Sequence, residues 1–165
     1  MINPQYFQQD VIRPTLKAID LWTSSAELVI LATAIHESGL KTRRQIGGGP
    51  ALGLLQIEPA THDDIWLTYL NYAKRRDLVR KILQVSKLSF PPPASELINN
   101  DPYSVCIARV KYLRSPVPLP RPKIDAIAAY WGKWYQGTSD PKKIRDFVND
   151  WSAVFAVEPE AIADL

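Results

Sequence analysis

An apolar run that ends beside a single acid constrains this chain more than any other feature. Residues 28–35, Leu-Val-Ile-Leu-Ala-Thr-Ala-Ile, are apolar at almost every position and predict a helix that is buried on all sides. Residues 23–25, Thr-Ser-Ser, precede the run as typical N-terminal caps, and Gly39 follows it as a typical C-terminal stop. Glu37 therefore falls at the end of a buried helix, where a carboxyl group needs either a partner or a chemical role.

The chain is long enough for one compact domain. Its 165 residues can bury a substantial core, and 46% hydrophobic with 22% charged residues are ordinary values for a globular protein. We expect a single domain over 1–165. The formal net charge of +3 would favour approach to polyanions, but the basic residues form only short clusters without a nucleic-acid-binding motif. We therefore expect no nucleic-acid partner.

Cysteine, histidine and the first residues exclude several other classes. The single cysteine, Cys106, lies in an apolar segment and is expected to be a small buried hydrophobe. The two histidines have no metal-ligand spacing, and we expect neither a metal nor a cofactor. Residues 5–10 break any signal-peptide pattern, and no apolar run is long enough to span a membrane. We expect synthesis in a bacterial host cytoplasm and no membrane insertion.

Helical periodicity dominates the rest of the chain. Pro14 interrupts a helical pattern over residues 5–22, and we expect it to kink or split that helix after Ile12. Further helices are expected over 60–72, 77–85, 101–113, 124–135 and 140–154, with a short turn near 158–159. Basic and glycine-rich sequence over 41–57 leaves room for at most a small β-hairpin. The predicted fold class is mainly α, a helical bundle around a buried central helix.

Four short motifs in a fixed order carry a resemblance to a known superfamily. They are Glu37-Ser38; residues 53–61, Gly-Leu-Leu-Gln-Ile-Glu-Pro-Ala-Thr; Ile107-Ala108 with Tyr112-Leu113; and residues 128–132, Ala-Ala-Tyr-Trp-Gly. This order resembles the soluble lytic transglycosylase and goose-type lysozyme superfamily, and residues 49–66 also resemble proteins of tailed bacteriophages. The resemblance implies a lysozyme-like fold and cleavage of the β-1,4 bond between N-acetylmuramic acid (MurNAc) and N-acetylglucosamine (GlcNAc) in peptidoglycan.

The resemblance also implies roles for individual residues. Glu37 would be the catalytic acid and base, and Glu58 a possible second carboxylate. The substrate-binding positions would be Ser38, Gln56, Tyr130 and Trp131. In the family the tyrosine that matches Tyr130 faces the catalytic acid, and Trp131 stands where the family has asparagine, which alters the pocket wall. Structural alternatives are a helix-end hydrogen bond for Ser38, a tie within its turn for Gln56, and a half-buried core position for Tyr130.

The two acids, Glu37 and Glu58, are expected to differ in pKa because they lie at opposite kinds of helix end. Glu37 follows an apolar helix, where desolvation and the negative end of the helix dipole raise a carboxyl pKa. Glu58 directly precedes Pro59 at the start of a helix, where the dipole favours the carboxylate. Two acids whose environments push their pKa values apart are typical of an acid and base pair.

Three functions are compatible with these residues. Lytic transglycosylase chemistry is favoured over hydrolysis, because residues 41–52 contain no acid where goose-type lysozymes carry one; hydrolysis would use Glu58. A catalytically silent structural or wall-binding component of a phage particle is supported by Trp131 and opposed by Glu37. The expected partners are peptidoglycan strands and other phage virion proteins, and the expected place of action is the periplasmic cell wall, reached as part of the virion.

Overall fold

Helices make up most of the protein. The computed structural model describes residues 1–155, so the turn predicted near 158–159 lies outside the described residues. The α-helices are α1 (Pro4–Tyr6), α2 (Arg13–Ala18), α3 (Ser24–Ser38), α4 (Pro59–Ile65), α5 (Arg76–Ser86), α6 (Asp101–Leu113), α7 (Ile124–Trp131) and α8 (Pro141–Phe155). π-Helical segments cover Phe7–Ile12, Trp66–Leu70 and Gly132–Gln136, and short 3₁₀ turns cover Ala73–Arg75 and Ala94–Leu97. The prediction of a mainly α fold is confirmed.

The buried central helix predicted from the apolar run is α3. Its residues Val29, Ile30 and Leu31 are fully buried, and the helix packs against α6, α7 and α8. The hydroxyl of Thr23 accepts a hydrogen bond from the Ala26 amide at 3.0 Å and so caps the N-terminus. Gly39 ends the helix in the left-handed conformation, with a φ of 62°. Both predicted boundaries of this helix are confirmed.

Pro14 does not split the first helix, so one of the two predicted outcomes, a kink or a split, is excluded. The chain stays helical from α1 through the π-helical segment Phe7–Ile12 into α2. At the end of that segment the Arg13 amide donates to the Gln8 carbonyl, five residues earlier. A proline in a regular α-helix clashes with the carbonyl four residues before it, and the wider π turn relieves this clash. The predicted break after Ile12 is therefore a change of helix type.

The α6 helix is the second largely buried helix. The side chain of Asn100 caps it by accepting a hydrogen bond from the Tyr103 amide at 3.1 Å. Cys106 is fully buried, which confirms its predicted place in the core, and burial raises the pKa of its thiol to about 12. Arg43 donates to both carboxylate oxygens of Asp101, at 2.7 and 3.1 Å. This ion pair ties the loop that follows α3 to the first turn of α6.

The loop over 41–57 contains less regular pairing than a hairpin. Its two isolated antiparallel bridges join Arg44 to Leu52 and Leu52 to Ile57. Gly53 has a φ of 75°, and a Cβ atom at this position would collide with the carbonyl oxygen of Leu97. The turn over 53–56 can therefore pack directly on the backbone of the Ala94–Leu97 turn, because residue 53 has no side chain.

No helix within residues 1–155 has the length and the apolar character needed to cross a lipid bilayer. Even the apolar helices α3 and α6 have 15 and 13 residues, respectively.

Candidate active site

Glu37 lies half-buried in the last turn of α3. Its Oε1 accepts a hydrogen bond from Nε1 of Trp131 at 3.0 Å. Burial raises the pKa of Glu37, and the bond from Trp131 and the nearby charges of His36 and Lys111 offset part of that rise. Compared with a free glutamate the carboxyl group is biased toward its protonated form, which is the direction that the sequence predicts.

Trp131 holds Glu37 from α7. Its ring stacks on Phe147 with centroids 4.7 Å apart and meets His36 edge-on at 4.6 Å. His36 bonds in turn to Asp150 of α8 at 2.7 Å, so the indole is fixed between α3 and α8. Only 1% of the tryptophan is exposed. This burial favours positioning of Glu37 over stacking on a sugar ring as the contribution of Trp131.

Tyr130 makes its hydrogen bond elsewhere. Its hydroxyl donates to the carbonyl of Val117 at 2.7 Å, and its ring stacks on Tyr112 with centroids 5.8 Å apart. The family resemblance implies that this tyrosine faces the catalytic acid, whereas in this structure the hydrogen bond to Glu37 comes from Trp131. Tyr130 instead lies in the wall of a cleft near the loop over 115–120.

The side chains of Ser38 and Gln56 form hydrogen bonds with nearby backbone groups. The Ser38 hydroxyl donates to the Ala34 carbonyl at 2.9 Å and accepts from the Leu40 amide at 3.2 Å. Nε2 of Gln56 donates to the Gly53 carbonyl at 2.9 Å, within the turn that precedes α4. These bonds correspond to the structural alternatives weighed for both residues. Contact of either residue with substrate stays a prediction.

Lys111 of α6 is a site residue that the sequence motifs do not indicate. Its Nζ donates to the Tyr135 carbonyl at 3.0 Å and lies 3.7 Å from the centroid of the Tyr135 ring. Burial lowers the pKa of Lys111 to about 8, while the negative charges of Glu37 and Glu58 act in the opposite direction. The ammonium group is thus within electrostatic reach of both acids. A signal was present, since Lys111 comes three residues after Ala108 on a buried helix face.

Glu58 occupies the N-cap position of α4 and is exposed to solvent. Pro59 follows it at the first helical position, as predicted. Glu58 and Glu37 both raise the pKa of Lys111 through their negative charges, so both acids lie near the same lysine. The two acids therefore differ in burial, since Glu37 is half-buried and Glu58 is exposed.

Glu37 lines none of three clefts that open among the described residues. Their volumes are about 790, 650 and 420 Å³. The first lies beside Trp66 and Phe90, the second beside Tyr6 and Asn100, and the third beside Tyr130. Glu37 is half-buried and lies outside these three clefts.

In the described part of the chain, no three His, Cys, Asp or Glu side chains gather in a way that could hold a metal ion. His62, at the start of α4, is buried rather than solvated. Its Nε2 bonds to the Tyr103 hydroxyl at 2.6 Å and its Nδ1 to Asp63 at 2.8 Å. His62 therefore belongs to the packing of α4 on α6.

Comparison of the chain with protein-family profiles, with curated proteins and with solved structures finds no match. Assignment of a function therefore depends on the sequence motifs and on the geometry around Glu37.

Proposed function

We propose that this protein cleaves the β-1,4 bond between MurNAc and GlcNAc in peptidoglycan, with Glu37 as general acid and base. The observation that carries the proposal is a half-buried carboxyl group at the end of the central helix, whose pKa burial raises and which Trp131 orients. An acid that works at neutral pH must retain its proton, and desolvation is the usual means. The four ordered motifs support the same chemistry.

The proposed reaction uses Glu37 twice. The protonated carboxyl group donates its proton to the glycosidic oxygen while the bond from that oxygen to C1 of MurNAc breaks, and GlcNAc leaves with a free 4-hydroxyl. The resulting carboxylate then accepts the proton of the MurNAc 6-hydroxyl while O6 bonds to C1. This lytic transglycosylase step gives a 1,6-anhydro sugar, consumes no water and returns Glu37 to its protonated form.

Lys111 and Trp131 support the ionised half of this cycle. The tryptophan hydrogen bond and the lysine charge both lower the pKa of Glu37 against the larger effect of burial. With a pKa of about 8, Lys111 is mainly protonated at neutral pH and can stabilise the carboxylate left by proton donation. Burial thus favours the acid form before the first step, and the two neighbours favour the base form before the second.

Hydrolysis is the alternative chemistry at the same site. A hydrolase of the goose type would use Glu58 to position water, and an inverting enzyme needs roughly 6.5–9.5 Å between its two carboxyl groups. Glu58 is exposed and shares Lys111 with Glu37, which favours this alternative. The absence of an acid in residues 41–52 favours transglycosylation.

We further propose that the protein belongs to a phage particle and meets the wall from the periplasmic side, since residues 49–66 resemble tailed-phage proteins. A catalytically silent structural or wall-binding component of the particle is the competing function. The bond from Tyr130 to Val117, in place of one to the acid, favours that competitor.

Clearing of purified peptidoglycan by wild type, Glu37→Gln and Glu58→Gln tests these proposals. Glutamine keeps an oxygen acceptor for Trp131 but has no acidic proton to transfer, so Glu37→Gln is expected to slow clearing by about 10²–10⁴-fold. Glu58→Gln is expected to retain most activity. A folded wild-type protein without activity would leave the structural component as the better proposal.

Mass spectrometry of the released fragments distinguishes the two chemistries. Transglycosylation gives anhydro-muropeptides, which are one water lighter than the products of hydrolysis. Fragments that carry only reducing ends, together with loss of activity in Glu58→Gln, would assign hydrolysis with Glu58 as the second carboxylate.

A further inference from the structure

A cleft of about 420 Å³ lies beside the N-terminus of α3. Its walls come from the start of α3, from α6 and from the proline-containing loop over 115–120; they include Thr23, Ser25, Arg109, Leu113, Val117 and Leu119. Glu37 lies at the opposite end of the same helix. Because an α-helix rises about 1.5 Å per residue, Ser25 and Glu37 are separated by roughly 18 Å along the axis. Glu37 does not line the cleft, although Tyr112 and Tyr130 do.

Arg109 is a buried cation in this cleft, and no carboxylate pairs with it among residues 1–155. The residue is only 7% exposed, and its Nε donates to the carbonyl of Leu21 at 3.2 Å. Neither Nη group has an acceptor in the described chain. Among the described residues, the completely buried side-chain polar atoms without a partner belong to Ser86 and Ser104. The Nη groups of Arg109 therefore keep some exposure, and the residue lines the cleft.

The surroundings of Arg109 favour an anion. Thr23 is the N-cap of α3, and the first amides of this 15-residue helix carry the positive end of its dipole. Neither Asp nor Glu is among the described residues that line the cleft. Burial lowers the pKa of Arg109, and the nearby Tyr130 and Tyr69 act in the opposite direction. An unpaired guanidinium group and a helix N-terminus thus converge on one cavity.

We propose that this cleft binds an organic carboxylate, which Arg109 holds with its two Nη groups. The planar fork of a guanidinium group matches the two oxygens of a carboxylate. Leu113, Val117 and Leu119 give the cleft apolar walls, which suit the carbon body of an organic acid better than a fully hydrated inorganic anion. In peptidoglycan the lactyl carboxyl of MurNAc is a free carboxylate only where the stem peptide has been removed, and in that form the inference rests on the proposed function.

Methyl NMR titrations of the wild-type protein test the site with four probes: D-lactate, inorganic phosphate, MurNAc and GlcNAc. D-Lactate and MurNAc are expected to shift the methyl signals of Leu113, Val117 and Leu119, while GlcNAc, which lacks the lactyl carboxylate, is not. Shifts with D-lactate but not with MurNAc support a carboxylate site that is unrelated to the wall. Shifts with phosphate alone, equal shifts with MurNAc and GlcNAc, or no shifts would each overturn the proposal.

Variants of Arg109 then assign the binding group. Arg109→Lys keeps the charge but loses the fork, and is expected to weaken D-lactate binding about tenfold or more; Arg109→Gln is expected to abolish it. Arg145→Gln removes an equal charge from the exposed face of α8 and serves as the matched control. Unchanged binding in both folded Arg109 variants would overturn the proposal. If these variants fail to fold, the wild-type titrations still decide.

The two proposals fail separately in these experiments. Glu37→Gln is expected to lose activity on peptidoglycan and to bind D-lactate as wild type does, because Glu37 is at the far end of α3. Wild-type protein that binds D-lactate but leaves peptidoglycan intact would remove the proposed function and keep the carboxylate site.

Discussion

Two acids beside helix ends have opposite surroundings in this protein. Glu37, in the last turn of α3, is half-buried and accepts a hydrogen bond from Trp131. Glu58, at the N-cap of α4, is exposed to solvent. Burial is the largest cause of the raised pKa of Glu37, and the exposed position of Glu58 lacks this cause.

The same comparison shows how the protein limits the effect of burial. Three neighbours of Glu37 act against the raised pKa: the indole N–H of Trp131 and the charges of His36 and Lys111. A carboxyl group with only apolar neighbours would be held in its acid form and could not serve as a base afterwards. Each neighbour can be removed by a separate substitution, so the pKa of Glu37 can be changed in steps.

The largest effect is expected from Trp131→Phe. Phenylalanine keeps an aromatic ring against Phe147 but removes the N–H donor, so the pKa of Glu37 should rise and stability should fall by about 1–3 kcal/mol. Trp134→Phe is the control, because Trp134 is half-buried and does not bond to Glu37. NMR titration of the Glu37 carboxyl carbon measures the pKa, and the same value in both variants would contradict the assigned bond.

A smaller effect is expected on the pH dependence of stability. The folded pKa of Glu37 is above its ordinary value of 4.5, so ionisation destabilises the native state as pH rises through the folded pKa. Glu37→Gln should therefore be more stable than wild type at neutral pH and gain nothing below pH 4.5. Glu58→Gln should stay within about 0.5 kcal/mol of wild type throughout. Urea unfolding at several pH values measures the stability of both variants. The same pH dependence of stability in Glu37→Gln and Glu58→Gln would contradict this prediction.

The smallest effect on the pKa of Glu37 is expected from Lys111→Met, since the lysine charge is the least of the influences that lower that pKa. The variant should raise that pKa slightly. The ordinary lysine pKa is 10.5 and the folded value is about 8, so wild type should gain stability relative to Lys111→Met as pH rises from 8 to 10.5. Thermal unfolding over that range measures the gap, and a constant gap would show that Lys111 is not desolvated.

Local signals predicted the elements that carry the site. Thr23 and Gly39 mark the two ends of α3. The side-chain oxygen of Thr23 accepts a hydrogen bond at the N-terminus, and Gly39 ends the helix in the left-handed conformation. Pro59 opens α4 for an equally local reason, since its missing N–H and fixed φ suit the first turn. Such signals depend on a few neighbouring residues, and a sequence displays them openly.

Contacts between distant residues were not predictable in the same way. Trp131 and Glu37 are 94 residues apart, and the resemblance pointed to Tyr130 as the residue that faces the acid. Lys111 and Arg109 lie on α6, and their surroundings depend on the elements that pack against that helix. Their burial and their partners depend on tertiary structure, which apolar periodicity does not specify.

In the π-helical segment Gly132–Gln136, the number of residues matters more than their identity. One residue in an α-helix turns the chain by about 100°, and the wider π turn holds one residue more than an α turn would. Before the segment, Trp131 reaches Glu37; after it begins, the Tyr135 hydroxyl bonds to the carbonyl of Leu55. Deletion of one residue would restore regular winding and rotate Tyr135 away from that carbonyl. Over evolutionary time this segment is therefore expected to accept substitutions far more readily than deletions.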